Sequence, residues 1–365
     1  MIRVLHLRPL DGDYQTDSCV AALLADASKQ TESVVQTIGR GGSHSTPLSA
    51  VLGLRRMPLD HDLVHAWGTQ ALTAAAIGTR AGVPILFSPI ESPRLREIRW
   101  MLAVMNYRKV HIVCPTDTMR RRFVENGVPI ERCHLIRPGI SFAKIRRRRD
   151  PALRQALGIA PDDRVMLAPG ETTRAAGHAD ALFAATVLNV MDRRNRLLVW
   201  GRGPMAAELR RFSTRLERPT LVDAQATLRR PIAYDELFAA VDEVLIASTS
   251  PSVPTLPMVA CMAAGLPIVA VVTPTIAELL EDRHTALLVG KASPRLIAQR
   301  VLDLRDDPGL QWSISDMART EAFEFFSLSR FLEQIRLAYE QLVTRDQIAI
   351  EQPPPGAGLR FHGRG

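Results

Sequence analysis

Few side chains in this sequence combine a chemically useful type with a loop or strand-end position. His65 lies in "DLVHAWG" (62–68), near the end of an apolar run that predicts a strand. A histidine there can orient a reactant or act as a base near neutral pH, and it can equally be a core side chain making one hydrogen bond. His178 and His284 are loop histidines open to the same two readings. The stretch "SPSVPTLPMVACMAAGLPIVA" (250–270) reads as loop, helix and strand, and it carries no charged side chain. Pro254 and Thr255 suit a helix start. The N–H groups near Thr255 and Leu256, with the positive end of the helix dipole, can receive an anion, or Thr255 can simply cap an ordinary helix. Cys19, Cys114, Cys133 and Cys261 are scattered, with no CxxC and no His/Cys ligand spacing. That argues against a zinc site and a disulfide framework, and it fits a reducing compartment. There is no Ser–His–Asp arrangement, no Walker loop and no convincing GxGxxG. "GRGGS" (39–43) reads as a flexible loop.

The elements that must position these residues alternate along the chain. Candidate strands are Val4–Leu7, Leu63–Ala66, Ile85–Phe87, Val110–Val113 and Leu135–Ile136. A second series is Val165–Ala168, Leu197–Trp200, Val244–Ala247, Ile268–Val272 and Leu287–Val289. Helical stretches fall between them, among them Thr69–Arg80, Thr116–Asn126, Ala179–Met191, Met205–Leu216 and Pro294–Leu304. Such alternation predicts right-handed βαβ units, parallel sheets and an α/β fold class. "RPGISFAKIRRRRDP" (137–151) separates the two series. The expected organisation is a Rossmann-like domain over 1–143, a basic linker over 144–151 and a second Rossmann-like domain over 152–326. A closing helix over 327–345 and a disordered Pro/Gly-rich tail over 350–365 follow. In doubly wound sheets ligands bind beyond the carboxyl ends of the strands, so the loops there are the place to look.

Composition narrows the function classes. The 365 residues are 46% hydrophobic and 23% charged, a globular balance for two domains. The net charge of +8 is unevenly spread. Residues 1–150 hold 22 Lys and Arg against 13 Asp and Glu, whereas the remainder is close to neutral. A basic half attracts anionic lipid, nucleic acid or an acidic substrate, or merely keeps the surface solvated. With aromatics at 5% and no basic–aromatic interleaving, nucleic acid is the poorest of these. The first ten residues have Arg3, His6 and Arg8 inside their apolar run, so they read as a strand and not a signal peptide. No apolar stretch reaches the roughly 20 residues that span a bilayer.

The two halves, the linker "HLIRPGI" and the block "LPMVACMAAGLPIVAVVTPTIAELLEDRHTALLV" together resemble the family-four (group 1) glycosyltransferases of the GT-B fold. "RVMLAPG" (164–170) looks like the strand that opens their second domain, and "WGRGP" (200–204) like their GxGP turn. "FSLSRFLEQIRLAYEQL" resembles their closing helix, which returns to the first domain. The resemblance implies two Rossmann-type domains around a cleft. It also implies transfer of a sugar, with retention and without a metal or other cofactor, from a nucleotide diphosphate sugar to a glycan or lipid-linked acceptor. On that likeness the donor lies on the second domain, against Gly170, Gly201, Gly203, Ser252, Thr255, Leu256 and Glu278. Arg174 and Arg202 are the cations available to the diphosphate, and His65 is the first-domain histidine facing the cleft. A cytoplasmic location follows from the likeness, and the basic first domain is consistent with peripheral contact at the inner membrane face.

The sequence departs from the family's pattern at its charged positions. Ser252 and Ala260 stand where the family has two glutamates. Glu171 replaces an arginine and Ala176 a lysine. Pro89 and Ile90 replace a histidine, Gly12 is alone where a glycine pair is expected, and Pro274 and Thr275 replace another pair. The retained scaffold therefore supports two expectations: a transferase whose phosphate clamp uses Arg174 and Arg202, or a non-catalytic relative that keeps the cleft for binding or docking a partner.

Overall fold

The apolar runs become parallel strands, and flanking helices cover both faces of two sheets. The computed structural model describes residues 1–10, 13–26, 30–38, 61–90, 92–201, 203–216, 220–228, 232–251 and 255–343. The first domain runs β1 (Ile2–Pro9), α1 (Tyr14–Leu24), β2 (Thr31–Ile38), β3 (Leu63–Trp67), α2 (Thr69–Gly78), β4 (Ile85–Ser88), α3 (Leu95–Met105), β5 (Val110–Cys114), α4 (Asp117–Glu125) and β6 (Cys133–Leu135). After the linker come α5 (Pro151–Ala156), β7 (Arg164–Ala168), α6 (His178–Met191), β8 (Asn195–Val199), α7 (Ala206–Arg215), β9 (Leu221–Asp223), α8 (Ala224–Thr227), α9 (Tyr234–Leu237) and β10 (Glu243–Ile246). The chain continues through α10 (Thr255–Ala263), β11 (Ile268–Val271), α11 (Pro274–Leu279), β12 (Leu287–Val289), α12 (Pro294–Asp306), α13 (Pro308–Phe325) and α14 (Leu328–Val343).

The first sheet has the order β2-β1-β3-β4-β5-β6 and the second β12-β11-β10-β7-β8-β9, both parallel throughout. In each, the strand order reverses beside the domain's first strand: between β1 and β3, and between β7 and β10. A crevice must open where successive crossovers depart to opposite sides, and both reversals face the gap between the domains. The interior strand β11 is buried end to end, which its unbroken apolar run IVAV requires. The strands that the sequence pattern omits are β2 and β9. Both are edge strands of mixed polarity, so neither shows a continuous apolar run.

The closing helix α14 packs on the first domain. Tyr339 Oη lies 2.7 Å from Nδ1 of His65, and Lys109 Nζ donates to the Leu342 carbonyl at 2.7 Å. Linker and closing helix cross side by side: the Ile140 N–H donates to the Phe326 carbonyl at 2.8 Å, and that of Leu328 to Ile140 at 3.2 Å. Gly139 makes this crossing tight, since a Cβ there would sit 2.6 Å from Cβ of Phe331. In the second domain a buried ion pair joins Glu243 of β10 to Arg305 of α12. No helix among the described residues is long and apolar enough to cross a membrane.

Candidate functional site

A cleft of about 1130 Å³ lies between the domains at the two strand reversals. From the first domain come Asp13, Tyr14 and Gln15 at the start of α1, with Ile90 and Arg94 after β4. The second domain supplies Pro169, Gly170 and Glu171 after β7, Trp200 and Gly201 after β8, and Ser248 and Ser250 after β10. The first turn of α10 forms one wall, and Lys144 enters from the linker.

Glycines allow the second-domain loops to close on one another. Gly201 has φ 126°, and a Cβ there would lie 2.1 Å from the Gly170 carbonyl oxygen. Gly177 has φ 71°, and its Cβ would lie 1.9 Å from the Ala247 carbonyl oxygen. No side chain fits at either point, so the loops after β7, β8 and β10 meet backbone to backbone. Ser248 Oγ then donates to the Ala175 carbonyl at 2.9 Å, fixing the β10 loop on the β7 loop.

The candidate residues fare differently. Gly170, Gly201, Thr255 and Leu256 line the cleft. Gly203 lies behind it, packed on Thr172. Arg174 is exposed in a 3-10 turn whose neighbours Thr173 and Ala175 line the cleft, so it stands at the rim and not on the wall. Arg202 and Ser252 lie outside the described residues.

Two expectations need correcting. His65 does not face the cleft. It is wholly buried, with Nδ1 2.7 Å from Tyr339 Oη, Nε2 2.8 Å from Ser88 Oγ and its ring stacked 4.2 Å from Trp67. Burial holds its pKa well below the ordinary value, so it is a neutral core imidazole. Glu278 is not on the cleft wall either. Its carboxylate accepts from the N–H groups of Asp117 at 2.7 Å and Thr118 at 2.8 Å, with Arg137 at 3.5 Å. A carboxylate of the second domain thus caps helix α4 of the first, where the helix's unpaired amides and dipole favour negative charge. His178 is buried at the start of α6, with Nε2 3.3 Å from the Pro169 carbonyl oxygen, and His284 pairs with Glu321 at 3.7 Å. Ala260 is wholly buried inside α10, so the helix offers the cleft no carboxylate from that position.

The sequence reading missed the residues that bridge the cleft. Tyr14 Oη donates to the Asp235 carboxylate, and its ring packs 4.6 Å from that of Tyr234. Burial raises the Asp235 carboxyl above its ordinary range, opposed by the Tyr14 hydrogen bond and the Lys144 ammonium. Gln15 Oε1 accepts from the Leu256 N–H at 3.0 Å. The unpaired glycine of "PLDGDYQTDS" drew attention to this loop, but nothing in the sequence pairs it with residues 220 to 240 positions away. Lys144 was legible only as part of a charge run.

Two Rossmann-type domains joined by a crossing linker and closing helix, with a cleft at both strand reversals, define a GT-B protein. Residues 164–307 match the family model for "Glycosyl transferases group 1". The matched residues lie within the second domain. Among curated proteins nothing matches the sequence. Of solved structures, Anabaena HepE in complex with UDP-glucose superposes with a TM-score of 0.77 at 18% identity, covering 93% of this chain and 100% of that one. Sucrose-phosphate synthase of Thermosynechococcus elongatus gives 0.72 at 13% identity, covering 94% and 99%. A glycosyltransferase from Rickettsia africae gives 0.69 at 13% identity with the same coverage. At these identities the likeness is one of fold.

Proposed function

We propose that this protein is a glycosyltransferase that binds a nucleotide diphosphate sugar in the interdomain cleft and passes the sugar, with retention, to a glycan or lipid-linked acceptor. The observation that carries the reading is the cleft wall itself: the first turn of α10, within the residues that match the group 1 family model, faces it with the Leu256 amide and Thr255. Backbone amides at a helix start bind a diphosphate irrespective of the side chains lost at 171, 176, 252 and 260. The complexes of HepE with UDP and UDP-glucose support a uridine nucleotide as the first ligand to test. The family's metal-free chemistry is carried over with the likeness, as is action at the inner membrane face.

The cations that line the cleft among the described residues are Arg94 and Lys144. Lys144 sits on the linker beside Asp235, opposite the wall that lost its own cations. In calorimetric titration of UDP, Lys144→Ala is expected to weaken binding about tenfold, the size of one exposed charge pairing with phosphate. Arg174→Ala at the rim is expected to cost less. Equal affinity of Lys144→Ala and the native protein would remove Lys144 from the site.

Titration of the native protein with UDP, GDP and their sugar conjugates tests the proposal. Micromolar binding supports it, and no binding of any of them sinks it. The second reading, a relative that keeps the cleft without catalysis, is favoured by two observations: Glu278 is committed to the first domain, and Ala260 is buried. Nucleotide binding without detectable hydrolysis or transfer of the bound donor's sugar would select it.

A further inference from the structure

We infer that the first turn of α1 is a built-in latch: Gln15 occupies the anion-binding position at the start of α10 and must leave it before a diphosphate can enter. The inference rests on the nucleotide-binding reading above and adds a regulatory contact to that site.

Three observations carry it. First, Gln15 and Leu256 belong to different domains, and the Gln15 amide oxygen accepts the Leu256 N–H at 3.0 Å directly across the cleft. That N–H is among the helix-start donors with no partner inside the helix, the kind an anion uses. Second, Thr255 lines the cleft beside it and is buried to 1% exposure, and its Oγ1 has no hydrogen-bond partner among the described residues. A buried hydroxyl without a partner is costly, and a phosphate oxygen would satisfy it where the single amide oxygen does not. Third, α10 carries no charged residue, so nothing in the helix itself neutralises its positive end. Tyr14, next to Gln15, anchors the same turn to the second domain through Asp235 and the Tyr234 ring, which holds the amide in place.

The chemistry favours exchange. A neutral amide oxygen makes a hydrogen bond about half as strong as an ionised phosphate oxygen does at the same donor. The latch therefore holds the domains together in the empty protein and yields to a diphosphate, at a cost to its affinity.

Two variants of the full chain pull in opposite directions. Gln15→Ala removes the competitor. Gln15→Glu replaces it with a charged one that the helix start binds more tightly. Inorganic pyrophosphate and UDP are titrated separately by calorimetry, and thermal melting without ligand is recorded. The expected result is that Gln15→Ala binds pyrophosphate about fivefold more tightly than the native protein and melts at lower temperature, as loss of one ordinary hydrogen bond predicts. Gln15→Glu should bind pyrophosphate at least about tenfold more weakly. Pyrophosphate affinity that is unchanged or reduced in Gln15→Ala, or absent in every protein, overturns the latch. If pyrophosphate follows the expected order while UDP binds none of the proteins, the latch stands and the nucleotide-sugar reading falls.

Discussion

Lowering the pH from 7 to 4 is expected to remove about 3 kcal/mol of folding stability through His6 alone, whose pKa is depressed from 6.5 to about 4. His6 lies in β1 with no exposed surface. The Trp67 indole N–H donates to its Nδ1 at 3.3 Å, so the proton of the neutral ring is on Nε2, which faces Ser33 Oγ at 3.3 Å. Charging this ring means placing a cation in the core, and burial is the stated cause of the shift. The unfolded chain takes up a proton near pH 6.5 that the folded chain refuses until about pH 4. The contribution is therefore fully present above pH 6.5 and is lost as the pH falls through that window. His65, 5.4 Å away between ring centroids, is pushed the same way by burial and by His6. Because His65 also holds Tyr339 of α14, acid should release the closing helix from the first domain. Urea titrations at pH 7 and pH 4 test this, with His6→Gln as the non-titrating control. Equal acid losses in the two proteins would show that the proton goes elsewhere.

Arg305→Met is expected to cost about 3–5 kcal/mol, because it strands a buried carboxylate. Glu243 is 3% exposed, and Arg305 makes two hydrogen bonds to it. Burial pushes the Glu243 carboxyl up, and Arg305 pulls it down. Without the Arg305 guanidinium the upward push of burial outweighs the remaining pull of Arg164, so the carboxyl should take up a proton, and the variant's deficit should shrink as the pH is lowered. The double variant Glu243→Met/Arg305→Met should lie close to the native protein, since a well-packed apolar pair avoids both desolvation costs. The consequence reaches the cleft, because β10 delivers Ser248 and Ser250 to it. Urea midpoints of the single and double variants decide the matter. A single-variant loss below about 1 kcal/mol would mean that water solvates the carboxylate after all.

Against those two effects the cleft is energetically quiet. Its cross-domain hydrogen bonds are single ones, Tyr14 to Asp235 and Leu256 to Gln15, beside the packing of the Tyr14 ring on that of Tyr234. Bonds of that size hold an arrangement in place and still release it to a ligand.

The sequence by itself determined the scaffold. Runs such as Val165–Ala168 and Ile268–Val271 are β-branched or wholly apolar, and they form strands wherever a parallel sheet buries them on both faces. Gly170 and Gly201 were visible in the motifs around them, and positive φ at each explains why no side chain stands there. The block around α10 carried enough local order to indicate the fold family. What each polar side chain does was decided by tertiary structure alone. His65 and Glu278 sit on the expected elements, yet one is turned into the core and the other reaches over to cap α4. Period and propensity fix which face of an element is apolar, but not which remote polar group meets it. Gln15 and Leu256 are 241 residues apart, and only the closure of one domain on the other brings the amide oxygen to the helix start. The chemistry of the cleft is thus set by domain packing, because hydrogen bonds across it depend on distances that no local pattern encodes.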